Sequence, residues 1–255
     1  MRKFFLFLML TLCLHLDAQI ILMDTPKEEE SQILDEIHGL MENELYMLAI
    51  NKIETLRKNK QLSHNGYYML MYNYLKTGEL ARIISTYNDW EKQASLLNNQ
   101  LEAKSSIQQI YSLNAYALEN TGLYHEAILS YEKSIGLDKD DKNNVAFCYR
   151  GIAENYEKLE LFNQAETYLN KSINIYLKLL NIDIDDMVKI SSNLHDDSNF
   201  EGLLLSIMRK GLLLVGQKSY TEGFYYMAIA ASCGEETALY YFEKLDLDYH
   251  KYLKR

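Results

Sequence analysis

The chain is poor in the residues that break regular structure. It has one proline, Pro26, and 11 glycines in 255 residues. So few breakers over that length exclude a many-turned β architecture and favour helices. Cysteine is scarce, with three copies, and no two share a zinc-type spacing. Clustered basic charge is also missing: the net charge is -10. The densest basic run, "LRKNK" at 56–60, reads as a helix C-terminus, where cations suit the dipole. Without a basic patch to meet phosphates, a nucleic-acid partner is not expected. After the first residues no run is long and apolar enough to span a membrane. There is no Gly-rich phosphate loop and no Gly-x-Ser-x-Gly elbow. No catalytic residue, cofactor or metal is expected, and the chain does not read as an enzyme.

What is present begins at the N-terminus. "MRKFFLFLMLTLCLHLDAQ" opens with Arg2 and Lys3, runs apolar from Phe4 to Leu14, and reaches small Ala18. Basic, apolar, then small is the order of a secretory signal, which assigns 1–18 as a signal peptide cut after Ala18. Residues 19–27 then form a flexible N-terminus, and the protein is expected to be periplasmic or secreted. Cys13 does not make a lipid-anchor signal, because Leu12 before it is not small. Cys148 and Cys233 read as two buried thiols, with a disulfide between them as the alternative.

Tyrosine is abundant, with 21 copies. Several fall in a repeating pattern. "TGLYHEAILSYEKSI" (121–135) places Ala127 four residues before Tyr131. "ELFNQAETYLNKSI" (160–173) repeats this with Ala165 and Leu169. Upstream of each lies another amphipathic segment with a small central residue, Ala115 in 108–120 and Ala153 in 146–160. The unit is helix A, a turn, then helix B, with small residues letting the helices approach. Weaker copies put Ala49, Ile83 and Gly223 at the small position of helix B.

These residues resemble the tetratricopeptide repeat. The match rests on Tyr111, Ala115, Gly122, Tyr124, Ala127 and Tyr131, then Tyr149, Ala153, Tyr156, Phe162 and Ala165. The repeat's terminal proline is absent, and Lys139 stands in its place. "AASCGEETA" (230–238) resembles the Sel1-like variant. The resemblance implies an all-α, right-handed α-solenoid of about five helical hairpins in 28–255. They are expected near 30–60, 64–92, 106–138, 144–180 and 200–232, with a capping helix at 235–252. The uneven spacing implies longer helices near 90–108 and an insertion at 181–199.

Two acidic segments could suggest a cation. "DKDDKNN" (138–144) reads as a linker, with Asn143 or Asn144 capping the next helix. "DIDDMVKISSNLHDDSNF" (183–200), with His195, reads as a solvated insertion and a secondary site candidate.

In the family, helix A lines a concave groove. The residues three before and one after its small residue face that groove. Carried over, the rule gives Leu34 and His38, Tyr68 and Tyr72, Ser112 and Tyr116, Arg150 and Glu154, then Met208 and Leu212. Phe147 and Glu157 add outer turns. Such a surface suits a protein or peptide partner, since Tyr and Arg are common anchors. Some relatives clamp a terminal carboxylate with several cations. Here those faces offer only Arg150 and Lys76, so that function is not implied. Two other roles fit the same residues: an immunity protein whose acidic charge meets a basic toxin, and a ligand-binding component of an envelope signalling system. The residues do not set an oligomeric state.

Overall fold

The computed structural model describes residues 28–59, 62–94, 97, 103–190 and 197–253. The signal-like segment, the 19–27 stretch and His195 lie outside these. The described residues contain twelve α-helices and no strand. The chain divides after Lys139 into two compact units.

The first unit comprises α1 (Glu28–Glu42), α2 (Tyr46–Asn59), α3 (His64–Thr77), α4 (Leu80–Gln93), α5 (Lys104–Asn120) and α6 (Tyr124–Leu137). The second holds α7 (Lys142–Lys158), α8 (Phe162–Leu180), a 3₁₀ turn (Ile184–Asp186) and the short α9 (Met187–Ile190). It continues through α10 (Ser198–Gly216), α11 (Tyr220–Ser232), α12 (Glu236–Lys244) and a 3₁₀ turn at Tyr249–Tyr252. Consecutive helices pack as hairpins: α1 on α2, α3 on α4, α5 on α6, α7 on α8, and α10 on α11. The all-α hairpin architecture expected from the sequence is the one observed.

One backbone device makes every hairpin. The turns at Glu44, Gly78, Gly122, Glu160 and Lys218 all place a residue at positive φ, between 58° and 85°. The next residue's N–H then reaches back five positions. Leu45 donates to Leu40 O, Glu79 to Tyr74 O, Leu123 to Leu118 O, Leu161 to Tyr156 O and Ser219 to Leu214 O, at 2.8–2.9 Å. This left-handed cap satisfies carbonyls that the end of a helix would leave unpaired. Five residues after each left-handed position stands the small or packing residue of the second helix: Ala49, Ile83, Ala127, Ala165 and Gly223. All four of the side chains among them are fully buried. A left-handed residue therefore sets the phase of each repeat, and glycine fills that place in only two of the five turns.

Within the first unit, α3 is the central helix. Its residues from His64 to Tyr74 are all buried, and it packs on α2, α4 and α5. A helix apolar around most of its girth is enclosed on all sides. Several polar groups at and around it are met inside. Ser63 Oγ accepts from Gly66 N at the N-terminus. The indole of Trp90 donates to His64 Nδ1 at 2.9 Å, and Tyr74 Oη donates to Glu54 at 2.6 Å. On α6, Lys133 Nζ donates to Glu91 (2.8 Å) and to Tyr87 Oη (3.1 Å), tying α6 to α4.

In the second unit α10 and α11 approach closely at two glycines. A Cβ at Gly223 would lie 2.8 Å from Gly211 O and from Val215 N. One at Gly211 would lie 2.5 Å from Met227 Cγ and 2.9 Å from Gly223 O. Buried serines also join helices there. Ser172 Oγ donates to Ala146 O at 2.8 Å and meets Ser206 Oγ at 3.0 Å. The far end is closed by rings: Phe224, Phe242, Tyr249 and Tyr252 cluster with centroids 5.1–5.9 Å apart.

Two local expectations change. Asp141, not Asn143 or Asn144, caps α7, since its carboxylate accepts from Asn144 N at 3.0 Å. An aspartate one position before the first helical residue has the reach for that bond, while the two asparagines already lie in the helix. Helix α4 is described to Gln93 and α5 from Lys104, and most of the stretch between them, where longer helices were expected, lies outside the described residues. The described part of the 181–199 insertion is solvated on one side, as expected, but anchored along the other. Met187 is fully buried, Ile182 and Ile184 pack on the core, and Tyr225 Oη donates to Asp185 at 2.8 Å. Apolar side chains every few residues in that stretch give it a buried edge.

Candidate interaction surface

Helix α7 carries Phe147, Arg150, Glu154 and Glu157 at spacings of three and four, so they share one face. Helix α10 carries Glu201, Leu205, Arg209 and Leu212 in the same way, and each of these is partly exposed between buried neighbours. The two faces lie side by side and are joined at Glu154, whose Oε2 accepts from Arg209 Nη2 at 3.0 Å. The result is a stripe with apolar side chains (Phe147, Leu205, Leu212) around a charged centre.

The centre is unusual because one cation is nearly sealed. Arg150 is 4 % exposed, whereas Glu154 and Arg209 are 19 % and 17 % exposed. Its guanidinium lies 5.4 Å from the Phe147 ring centre. Its polar contacts among the described residues are long. Nη1 donates to Gly202 O at 3.5 Å, and Nε stands 4.0 Å from Glu154 Oε1. The first is at the limit of useful hydrogen bonding and the second lies beyond it. Beside it, Lys210 is already engaged, with Nζ 2.9 Å from Tyr226 Oη and over the same ring.

The groove residues expected in the first unit are placed differently. Tyr68 and Tyr72 are 4 % and 3 % exposed, because α3 is enclosed. They pack the core, with ring centres 6.0 Å apart, and present no surface. Leu34 and Ser112 are also buried. Ser112 meets Ser134 Oγ at 3.3 Å. Tyr116 and His38 remain half-buried, the latter 3.5 Å from Glu42. In the second unit Phe147, Glu154 and Glu157 are accessible, while Met208 is buried and Leu212 is not. The carried-over rule did not include Leu205 and Arg209, which share this exposed face. Their signal was in the sequence: α10 is otherwise almost wholly apolar, and Glu201, Leu205 and Arg209 recur every four residues.

The packing residues Ala49, Ala115, Ala127, Tyr131, Ala153 and Ala165 are buried to 1 % exposure or less. Cys148 and Cys233 are buried thiols, each in a different helix environment, and no disulfide joins them. Among the described residues, no three His, Cys, Asp or Glu side chains gather as a metal site. No helix there is long and apolar enough to cross a membrane.

No family model matches the chain, and no curated protein matches it. Among solved structures, the chain resembles the "MamA RS-1 ArsTM double mutant" with a TM-score of 0.59 and 9 % identity. That match covers 83 % of this chain and 97 % of the other. BtubC (BKLC) from P. vanneervenii overlaps over 86 % of this chain and 88 % of its own at 16 % identity. Its TM-score of 0.42 is too low to define a shared fold. The likeness to MamA is one of fold: an all-α array of helical hairpins.

Proposed function

We propose that this chain is a protein-binding helical-repeat scaffold that recognises a protein or peptide partner without catalysis. The observation that supports this most is the α7–α10 stripe: accessible Phe147, Leu205 and Leu212 around a charged centre, on rigid helices. Hairpin repeats stack helices into extended surfaces that suit such recognition, and apolar anchors with a central arginine are frequent energetic centres of interfaces. The fold alone does not assign the role; the stripe is what supports it.

The basic, apolar, small order of 1–18 supports export, with cleavage after Ala18 and residence in a periplasm or beyond. Mass spectrometry of the chain from its own cells reads this directly: an N-terminus at Gln19 is expected, and an intact Met1 refutes it.

The binding role is tested by cross-linked affinity capture with the full chain beside Leu205→Glu. Leu129→Glu serves as control, since Leu129 is 58 % exposed on α6. The expected result is a partner captured by the parent chain and the control but lost with Leu205→Glu. Equal capture by all three overturns the assignment of the stripe.

A further inference from the structure

His64 is the one buried histidine among the described residues. It is fully enclosed, while the His38 side chain is 42 % exposed and His125 and His250 stand at the surface. It opens α3, the central helix of the first unit, and its Nδ1 accepts the indole N–H of Trp90 on α4 at 2.9 Å. The two rings meet edge to face, with centres 6.0 Å apart. Accepting that bond requires a lone pair on Nδ1, so the folded chain holds His64 as the neutral ring. In an imidazolium both nitrogens carry hydrogen and neither accepts. A proton at Nδ1 would set one donor against another across that contact. It would also place an enclosed cation at the positive end of a helix.

The charges around this end of α3 offer the proton little compensation. From α1, Glu30 is the carboxylate that would favour it, and its Oε1 already accepts from Ser63 N at 2.8 Å. On α2, Arg57 pairs with Glu54 at 3.2 Å, and Lys58 is exposed. Beside Trp90 on α4, Asp89 pairs with Lys92 at 3.7 Å and Glu91 with Lys133 of α6 at 2.8 Å. On α5, Lys104 pairs with Asp138 at 2.7 Å. We infer that His64 and Trp90 form an acid-sensitive latch: one proton taken up by His64 breaks the indole bond and releases α3 from α4. Release uncovers Tyr68 and Tyr72, which the folded unit encloses. In an unfolded chain a histidine takes its proton near pH ~6.5. The unfolded chain then binds one proton more than the folded chain, so stability falls as pH drops below that value. Unfolded carboxylates stay ionised to about pH 5, which leaves the window between to this histidine.

The test is urea unfolding of the full chain across that window, followed by the fluorescence of Trp90, the only tryptophan. Below pH ~6.5 the unfolding constant is expected to rise about tenfold per pH unit, about 1.4 kcal/mol each. His64→Asn offers an amide oxygen near the place of Nδ1 and takes up no proton, so its unfolding constant should hold steady over the same range. A parent chain of constant stability across the window overturns the latch. So does a His64→Asn chain that keeps the parent's slope. Where His64→Asn does not fold, His38→Asn and His125→Asn decide by elimination. Both are expected to keep the parent's slope, and its loss in either one overturns the assignment to His64.

Discussion

Gly211 and Gly223 test the packing of the second unit through the sign of a mutation. In a solvent-facing helix, Gly→Ala gains about 1 kcal/mol of helix propensity. At these two places the added methyl has nowhere to go. At Gly223 it would stand 2.7 Å from Val215 Cγ2, 2.8 Å from Gly211 O and 2.8 Å from Val215 N. At Gly211 it would stand 2.5 Å from Met227 Cγ and 3.0 Å from Met227 N. Two of the three contacts in each case are backbone atoms, so rotating a side chain gives no relief. Overpacking of this kind costs roughly 1–3 kcal/mol, which exceeds the propensity gain at most of its range. Gly39, inside α1, has no heavy atom within 4 Å of the same added methyl. Gly223→Ala and Gly211→Ala should therefore destabilise the chain, and Gly39→Ala should stabilise it. Urea unfolding at 25 °C followed by far-UV circular dichroism reads both. Fluorescence of Trp90, the only tryptophan and part of the first unit, adds a local signal for that unit. If Gly223→Ala stabilises as much as Gly39→Ala, α10 and α11 do not approach as described, and the phase of that hairpin fails with them.

Glu160 is a non-glycine residue at φ 59°; Glu160→Gly relieves the left-handed strain, and a gain of about 0.5–1 kcal/mol in urea unfolding is expected. Ser172→Ala removes a 2.8 Å bond to Ala146 O and should cost roughly 1–2 kcal/mol. Ser134→Ala, which removes 3.3 Å bonds to Ser112 Oγ and Gln108 O, should cost less; the reverse order would contradict the packing. The hydrogen bonds of Lys133 and then Tyr87 hold the Glu91 carboxyl below its ordinary value. A depressed carboxylate contributes stability above its unfolded value, and that contribution is lost as pH falls through the folded one. Glu91→Gln should therefore flatten the acid limb of the stability profile, by less than about 1 kcal/mol because both partners are half-exposed. Tyr87 itself is pushed up to about 12 by burial and its bond to Glu91, so it stays neutral throughout. Cys148 and Cys233 are buried, so a thiol reagent should modify them only at the rate of unfolding; fast labelling of the native chain would show an opening absent from this fold.

The sequence by itself determined the helical class and the phase of the repeats. Both are local: the scarcity of breakers fixes helix, and a small residue recurring after a turn fixes where two helices touch. Ala127 and Ala165 were readable because deep packing tolerates few side chains at a close approach. Left-handed Glu44, Glu160 and Lys218 were not readable, because no glycine marks them and the helices on either side impose the conformation. The site was legible only in part. Spacing alone puts Tyr68, Tyr72, Arg150 and Glu154 on comparable faces. Whether a face meets solvent depends on what covers the helix, and that is a property of the assembled unit. Enclosure of α3 removed the tyrosines from the surface, while the α7–α10 pairing kept Glu154 accessible, brought Arg209 to it and left Arg150 sealed beside them. The tertiary structure decided that arrangement because burial and charge pairing join residues some fifty positions apart, beyond the reach of any local pattern.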